Sequence, residues 1–277
     1  MFYGSLTGFG GGGGAPPNFF NDIENAGLTS GLQLCLDAGA AASYDGSAQK
    51  WLDLSGNGND LHRGADDSSA TDDPTFNGTS GDLSSAEYFS TDGGDHFSYD
   101  DVGSLPSGLN GFHKDNAIFT LLAWWFVPSG GISANTRWFS TGVDGGNTHG
   151  IKVGSATDQK PNMGVHNASD HQGGNATATD SLVADAWNFV GLSINEGGST
   201  VCEHYLQGSQ NGSDFDINYS SPTTTDSTTI RIFEATSGAE ASQSGIRIAG
   251  LMVWNGVVLT EANYVTLWNA QKGRFGL

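Results

Sequence analysis

Ala117-Ile118-Phe119-Thr120-Leu121-Leu122-Ala123-Trp124-Trp125-Phe126-Val127 is interrupted by a single polar residue, Thr120. A run this apolar is the pattern of a strand buried on both faces. Outward from it, Leu32, Leu34 and Leu36 alternate with Gln33, Cys35 and Asp37, which reads as a half-buried strand. Trp187 to Ile194 alternates again, with Val190, Leu192 and Ile194 on one side, and Val201–Leu206, Thr229–Phe233 and Gly245–Trp254 read as further strands. Between them lie clusters of Gly, Asn, Asp, Ser and Thr, the composition of loops. Short strands separated by such loops predict an antiparallel β-sandwich. Composition agrees: 42 of 277 residues are glycine, and glycine inside a helix costs about 1 kcal/mol.

One helix is predicted at the C-terminus. Thr260 is placed to cap it, and Tyr264, Leu267 and Trp268 fall at i, i+3 and i+4. Lys272 and Arg274 suit the negative end of its dipole, with Gly273 at the stop. Residues 1–27 stand apart from the sandwich at 28–277. They hold five consecutive glycines, Gly10–Gly14, then Pro16-Pro17, yet also Phe2, Tyr3, Phe9, Phe19 and Phe20. Such a stretch reads as an extended arm, whose aromatics dock either on a neighbouring subunit or back on their own domain.

The charge balance is one-sided. Ten Lys and Arg face thirty Asp and Glu, for a net charge of −20. No basic stripe exists, which argues against nucleic acid and against anionic lipid as partners. Leu121–Val127 is far below the ~20 apolar residues of a membrane helix. Cys35 and Cys202 are too few for a disulfide framework and read as buried thiols. No Lys or Arg precedes Lys50, so the start lacks the basic region of a signal peptide. The expectation is a protein made in a cytosol.

Three stretches carry a family resemblance. Leu34-Cys35-Leu36-Asp37-Ala38-Gly39, followed by Trp51-Leu52-Asp53-Leu54-Ser55-Gly56-Asn57-Gly58-Asn59-Asp60, resembles the opening of laminin G-like, concanavalin A-like jelly-roll domains. Phe119–Pro128 is similar to their aromatic central strand. Leu259-Thr260-Glu261 and Leu267-Trp268-Asn269-Ala270-Gln271-Lys272-Gly273-Arg274-Phe275 resemble their close. The resemblance implies an all-β jelly-roll sandwich of two antiparallel sheets with one short C-terminal helix. With the glycine-rich start, the chain also resembles structural proteins of tailed, especially marine, bacteriophages. That implies a non-enzymatic virion component, a capsid decoration or fibre part. It would join other virion proteins through the arm, form a homo-oligomer and display a lectin-like domain to cell-surface glycans. The alternatives are a secreted or surface carbohydrate-binding module, which would be extracellular, and a polysaccharide-degrading enzyme. Against the enzyme, the seven glutamates show neither Glu-x-Asp-x-x-Glu nor Glu-x-Asp-x-Glu, the patterns of glucanases with this fold.

Two groups of residues are candidate sites. Asp53 to Gly58 spells Asp-x-Ser-x-Asn-Gly, which places alternate oxygens as the first half of a calcium loop does. Asp53, Asn57, Asn59 and Asp60 are the candidate Ca2+ ligands, and a hydrogen-bonded Asx turn is the competing reading. The resembled family completes such a site with an acid on a late strand, where this chain has Ile248-Ala249-Gly250-Leu251. The second group is Asp144, Asn147, His149, His166, Asn167 and His171. Read as loops, these supply the paired donors and acceptors that sugar hydroxyls need, or else a solvated face.

Overall fold

Ala117–Val127 forms the middle of a sheet that is covered on both sides. The structure, a computed structural model, describes residues 17–99, 105–132, 136–141, 148–155, 159–168, 170–174, 180–196, 201–216, 225–234 and 242–277. In chain order the described strands are β1 (Leu32–Asp37), β2 (Lys50–Trp51), β3 (Leu61–Arg63), β4 (Thr75–Asn77), β5 (Tyr88–Ser90), β6 (Phe97–Tyr99), β7 (Ile118–Val127), β8 (Arg137–Ser140), β9 (Thr148–Ser155), β10 (Pro161–Ala168), β11 (Asp170–Gly174), β12 (Ala186–Asn195), β13 (Val201–Leu206), β14 (Ser209–Gln210), β15 (Ile230–Ile232) and β16 (Arg247–Asn255). Helix α1 is Phe19–Asn25, α2 is Glu261–Gln271, and a 3-10 turn follows at Lys272–Phe275.

Two antiparallel sheets pack face to face, as the sequence predicts. The first runs β14-β13-β12-β7-β16-β5-β4, with β1 also on β16. The second runs β11-β10-β9-β8-β15-β6-β3-β2. Strand β7 pairs with β12 along its whole length, from Ile118 opposite Asn195 to Val127 opposite Ala186. Its alternate side chains then serve two cores. Leu121, Ala123, Trp125 and Val127 face the second sheet and meet Phe139, Ile151, Val165 and Ile232. Leu122, Trp124 and Phe126 face the other way and meet Phe19, Ile23, Tyr264, Leu267 and Phe275. A helical layer thus closes the first sheet from outside, which is why its central strand reads as apolar throughout.

Helix α2 is capped as expected: Thr260 Oγ1 accepts from Asn263 N at 3.4 Å, and Asn263 Oδ1 accepts from Thr260 N at 2.9 Å. It is fastened to the sheet by Trp124 Nε1, which donates to Gln271 Oε1 at 2.8 Å, and by the Tyr264 hydroxyl against Ser193 Oγ at 2.8 Å. The stop differs from the expectation. Gly273 lies inside the 3-10 turn, which is stopped at Gly276, whose φ of 74° is left-handed. Arg274 therefore does not serve the helix dipole in solvent. Its side chain is 7% exposed and donates from Nη1 to Asp37 Oδ1 at 2.7 Å.

The arm is corrected at its inner end. Residues 17–27 belong to the domain rather than to an extended arm. Asn18 Oδ1 accepts from Asn21 N at 2.9 Å and starts α1, and Phe19 and Ile23, at i and i+4, are buried against the first sheet. Phe19 N donates to Asp37 Oδ2 at 3.0 Å. The Phe19 ring fills the space that a side chain at residue 250 would need, so Gly250 is fixed there by contact. Phe2, Tyr3 and Phe9 lie outside the described residues.

Candidate functional site

The outer face of the second sheet has a different chemistry from every other face of the sandwich. Register places Lys50 opposite His62, His62 opposite Ser98, and Ser98 opposite Arg231. Arg231 then stands opposite Ser140, Ser140 opposite Lys152, and Lys152 opposite Gly164. Directly paired residues of antiparallel strands point to the same side, so these form one polar row across the sheet. The row is open at one end and covered in the middle. The Lys50 side chain is 40% exposed, whereas Ser98, Ser140 and Lys152 are buried.

Acids flank the row. Asp67 Oδ1 lies 2.8 Å from His62 Nδ1, and Asp67 Oδ2 lies 3.6 Å from Lys50 Nζ. Further along, Glu234 Oε1 lies 3.4 Å from His96 Nδ1 and 3.8 Å from Arg231 Nε. Burial raises the Glu234 carboxyl above its ordinary range, with Arg231 pulling it back and Asp72 adding to the rise. The sequence carried no local signal for this cluster, because its members come from segments far apart in the chain that only the sheet order brings together.

The histidines expected in loops are on strands. His149 lies on β9, His166 on β10 and His171 on β11. Glycine and polar residues on the outer face gave these strands the composition of a loop, while Ile151, Val153, Met163 and Val165 reach the core. His166 pairs in register with His171, and Asn167 with His149. His149 and His166 therefore lie on opposite faces and do not share one surface. The His149 ring stands 5.7 Å from that of His113, whose Nε2 meets Thr225 O at 2.8 Å and whose Nδ1 meets Ser227 Oγ at 3.1 Å. Burial lowers the His113 pKa to about 4, with His149 and Lys114 adding to the fall, so this imidazole is neutral. Asp144 and Asn147 lie outside the described residues.

Asp53, Asn57, Asn59 and Asp60 do come together, as a turn docked on β1. Asp53 Oδ1 accepts from Cys35 N at 2.9 Å and from Ser55 N at 2.8 Å. Asp53 Oδ2 accepts from Ser55 Oγ at 2.6 Å and Asn59 N at 3.1 Å. Asp60 Oδ1 accepts from Asp53 N at 2.8 Å. Asn57 Nδ2 donates to Leu32 O at 2.9 Å, and Asn59 Nδ2 to Gln33 O at 2.6 Å. A cation at this loop would have to take Asp53 from four donors. Asp53→Ala leaves those four part-buried donors to water, at a combined cost of about 2 kcal/mol, and is expected to lower the melting temperature by about 5 °C. Millimolar calcium or a chelator should leave the wild-type curve where it is. A calcium-dependent rise that Asp53→Ala abolishes would instead assign the loop a cation.

No family model matches the chain, and no curated protein matches its sequence. Solved structures do share its fold. A mutant of Trypanosoma rangeli sialidase displaying trans-sialidase activity superposes with a TM-score of 0.55 at 12% identity, over 92% of this chain and 38% of that one. The sialidase of the same organism in complex with sialic acid gives 0.52 at 14% identity, over 98% and 36%. A botulinum neurotoxin type C chain, a toxin that gets into cells through interaction with two ganglioside molecules, gives 0.52 at 13% identity, over 89% and 53%. The chain thus spans between about a third and about half the length of these proteins. Likeness at this level shows the β-sandwich fold.

Proposed function

We propose that this chain is a non-enzymatic glycan-binding β-sandwich, and that the outer face of its second sheet is the contact surface. The observation that carries this reading is the open end of the polar row, where the Lys50 side chain is 40% exposed and Asp67 lies 2.8 Å from His62 Nδ1 and 3.6 Å from Lys50 Nζ. It presents donors and acceptors to solvent, whereas the central strand β7 of the other sheet carries large apolar side chains to both faces. Sugar hydroxyls need such paired groups. Sandwich domains of similar fold in a sialidase and in a ganglioside-dependent toxin support the ligand class. The virion setting, with residues 1–16 as the means of attachment and many copies giving avidity, is the part of the proposal that rests on the sequence resemblance.

The test is a glycan array probed with the monomer and with a multimerised form. The expected result is weak binding by the monomer and strong binding by the multimer. Lys50→Ala/His62→Ala, at the open end of the row, should weaken the multimer's signal at least tenfold while the melting temperature stays within about 2 °C. His149→Ala should leave the signal unchanged, because that side chain lies on the other face. Silence from the multimer would overturn the glycan reading, and released reducing ends would replace it with the enzyme.

A further inference from the structure

On the helical side of the sandwich, a cleft of about 440 Å³ opens between α1, the loop from β4 to β5 and the C-terminal 3-10 turn. Phe19, Leu83 and Ala270 give it apolar walls, and Asp22, Asp82 and Arg274 are polar groups lining it. Asp22 is 7% exposed, yet no described residue donates a hydrogen bond to its carboxylate. Its oxygens still meet solvent through the cleft, so the cleft ends on an acceptor that no described side chain occupies.

Arg274 does not supply the missing partner. Its Nη1 is committed to Asp37 Oδ1, its Nε donates to Ser84 O at 3.0 Å, its Nη2 is buried against Gly39 without reaching Asp22, and its guanidinium lies 4.6 Å from the Phe19 ring centre. The groups facing Asp22 are Asp37 and Cys35 from β1 and Arg274 from the 3-10 turn, and Asp82 lines the same cleft. One cation thus meets three carboxylates, and the cleft is negative. No group of three His, Cys, Asp or Glu among the described residues is placed to hold a metal ion. The fitting ligand is a cation that brings donors and no acceptor, on a stem that suits apolar walls.

We propose that this cleft binds a primary alkylammonium group, with Asp22 and Asp82 accepting its hydrogen bonds and Phe19, Leu83 and Ala270 enclosing its methylene stem. The site is separate from the polar face of the second sheet and does not depend on the glycan reading. Burial, and after it the charge of Asp37, raises the Asp22 carboxyl to about 6, against a smaller pull from Arg274. Asp22 is therefore charged at pH 7.5 and largely neutral at pH 5. A raised folded-state pKa also means that the stability Asp22 contributes is full below about pH 4 and lost as the pH rises through 6. Asp22→Asn should then fold, melting about 3 °C higher than wild type at pH 7.5, with the gain gone below pH 4.

The test titrates the whole chain with n-pentylamine, 1-pentanol and pentanoate, followed by calorimetry and by amide shifts in α1. Pentylamine should bind saturably at pH 7.5, at least tenfold more weakly at pH 5, and not at all to Asp22→Asn. Asp82→Asn should weaken it about threefold, as loss of one exposed charge partner does. Pentanol and pentanoate should not bind. Cadaverine and N-acetyl-lysine methylamide then separate the two sources of this group: whichever binds more tightly assigns the site to a free diamine or to a lysine side chain of another protein. Equal binding of pentanol, preference for pentanoate, or unchanged pentylamine binding by a folded Asp22→Asn would each overturn the proposal.

Discussion

Arg274→Met should shift the denaturation midpoint by about 3–5 kcal/mol of stability at unchanged denaturant slope, or about 10 °C of melting temperature. Arg274 is contributed by the last turn of the chain and Asp37 by its first strand, and the carboxylate is fully buried. Asp37 also accepts from Phe19 N and Gly39 N, so it is the point where α1, β1 and the 3-10 turn are tied together. Removing the guanidinium leaves that carboxylate in the interior with its charge uncompensated, which costs more than the pair contributes. Gly39 leaves room for the guanidinium, whose Nη2 occupies the space a side chain there would fill. Arg274→Lys should recover less than half the loss, since an ammonium cannot reach both Asp37 and Ser84 O as the planar fork does. High salt should not reproduce the effect, because buried pairs are poorly screened. A loss below about 1 kcal/mol would mean that the two ends are not joined here.

Trp124→Ala is expected to cost about 3–5 kcal/mol, as much as truncating a large side chain in any core. Trp124 lies outside the space between the sheets. Its ring stacks on Phe275 with centres 3.9 Å apart, and its Nε1 donates to Gln271. The informative measurement is amide exchange. Trp124→Ala should speed exchange in α2 and the 3-10 turn beyond the global loss, whereas Trp125→Ala, on the inner face, should not. Trp124→Phe keeps most of the buried area and leaves Gln271 Oε1 without its donor, a cost of about 1–3 kcal/mol. If α2 exchanges identically in the Trp124 and Trp125 variants, the helical layer is not a second core.

The sheet strands that carry large apolar side chains were legible in the sequence. The span Val201–Leu206 is the observed β13, and Ala117–Val127 loses one residue to become β7. Strands β2 to β6 have two or three residues each, too few for a period to show. Strands β9 to β11 read as loops because their outer positions are Gly, Lys, His and Asn, so only every second residue reports burial. Helix α1 was hidden in a stretch dominated by glycine and proline, although Asn18, Phe19 and Ile23 hold a cap and an apolar stripe. For the candidate sites, the Asp53 turn was readable because its bonding partners are local or lie on the adjoining strand. The clusters around Arg231 and Asp22 were not, since each joins segments far apart in the chain.

By itself, then, the sequence determined the secondary-structure type, the two-sheet class and the cap of α2, because periodicity, glycine-rich turns and capping act within a few residues. Tertiary structure alone decided which charges meet. A surplus of acids says only that most carboxylates lie in solvent. Which of them are buried, and whether a cation stands beside them, depends on strand order and on where the two ends of the chain are packed. Asp37 and Arg274 are separated by 237 residues and bonded at 2.7 Å. Asp22, one turn of helix from Phe19, is buried in the same helix and takes no donor among the described residues. Coulomb energy depends on distance in space and on the medium between the charges, and neither quantity is written in the order of residues.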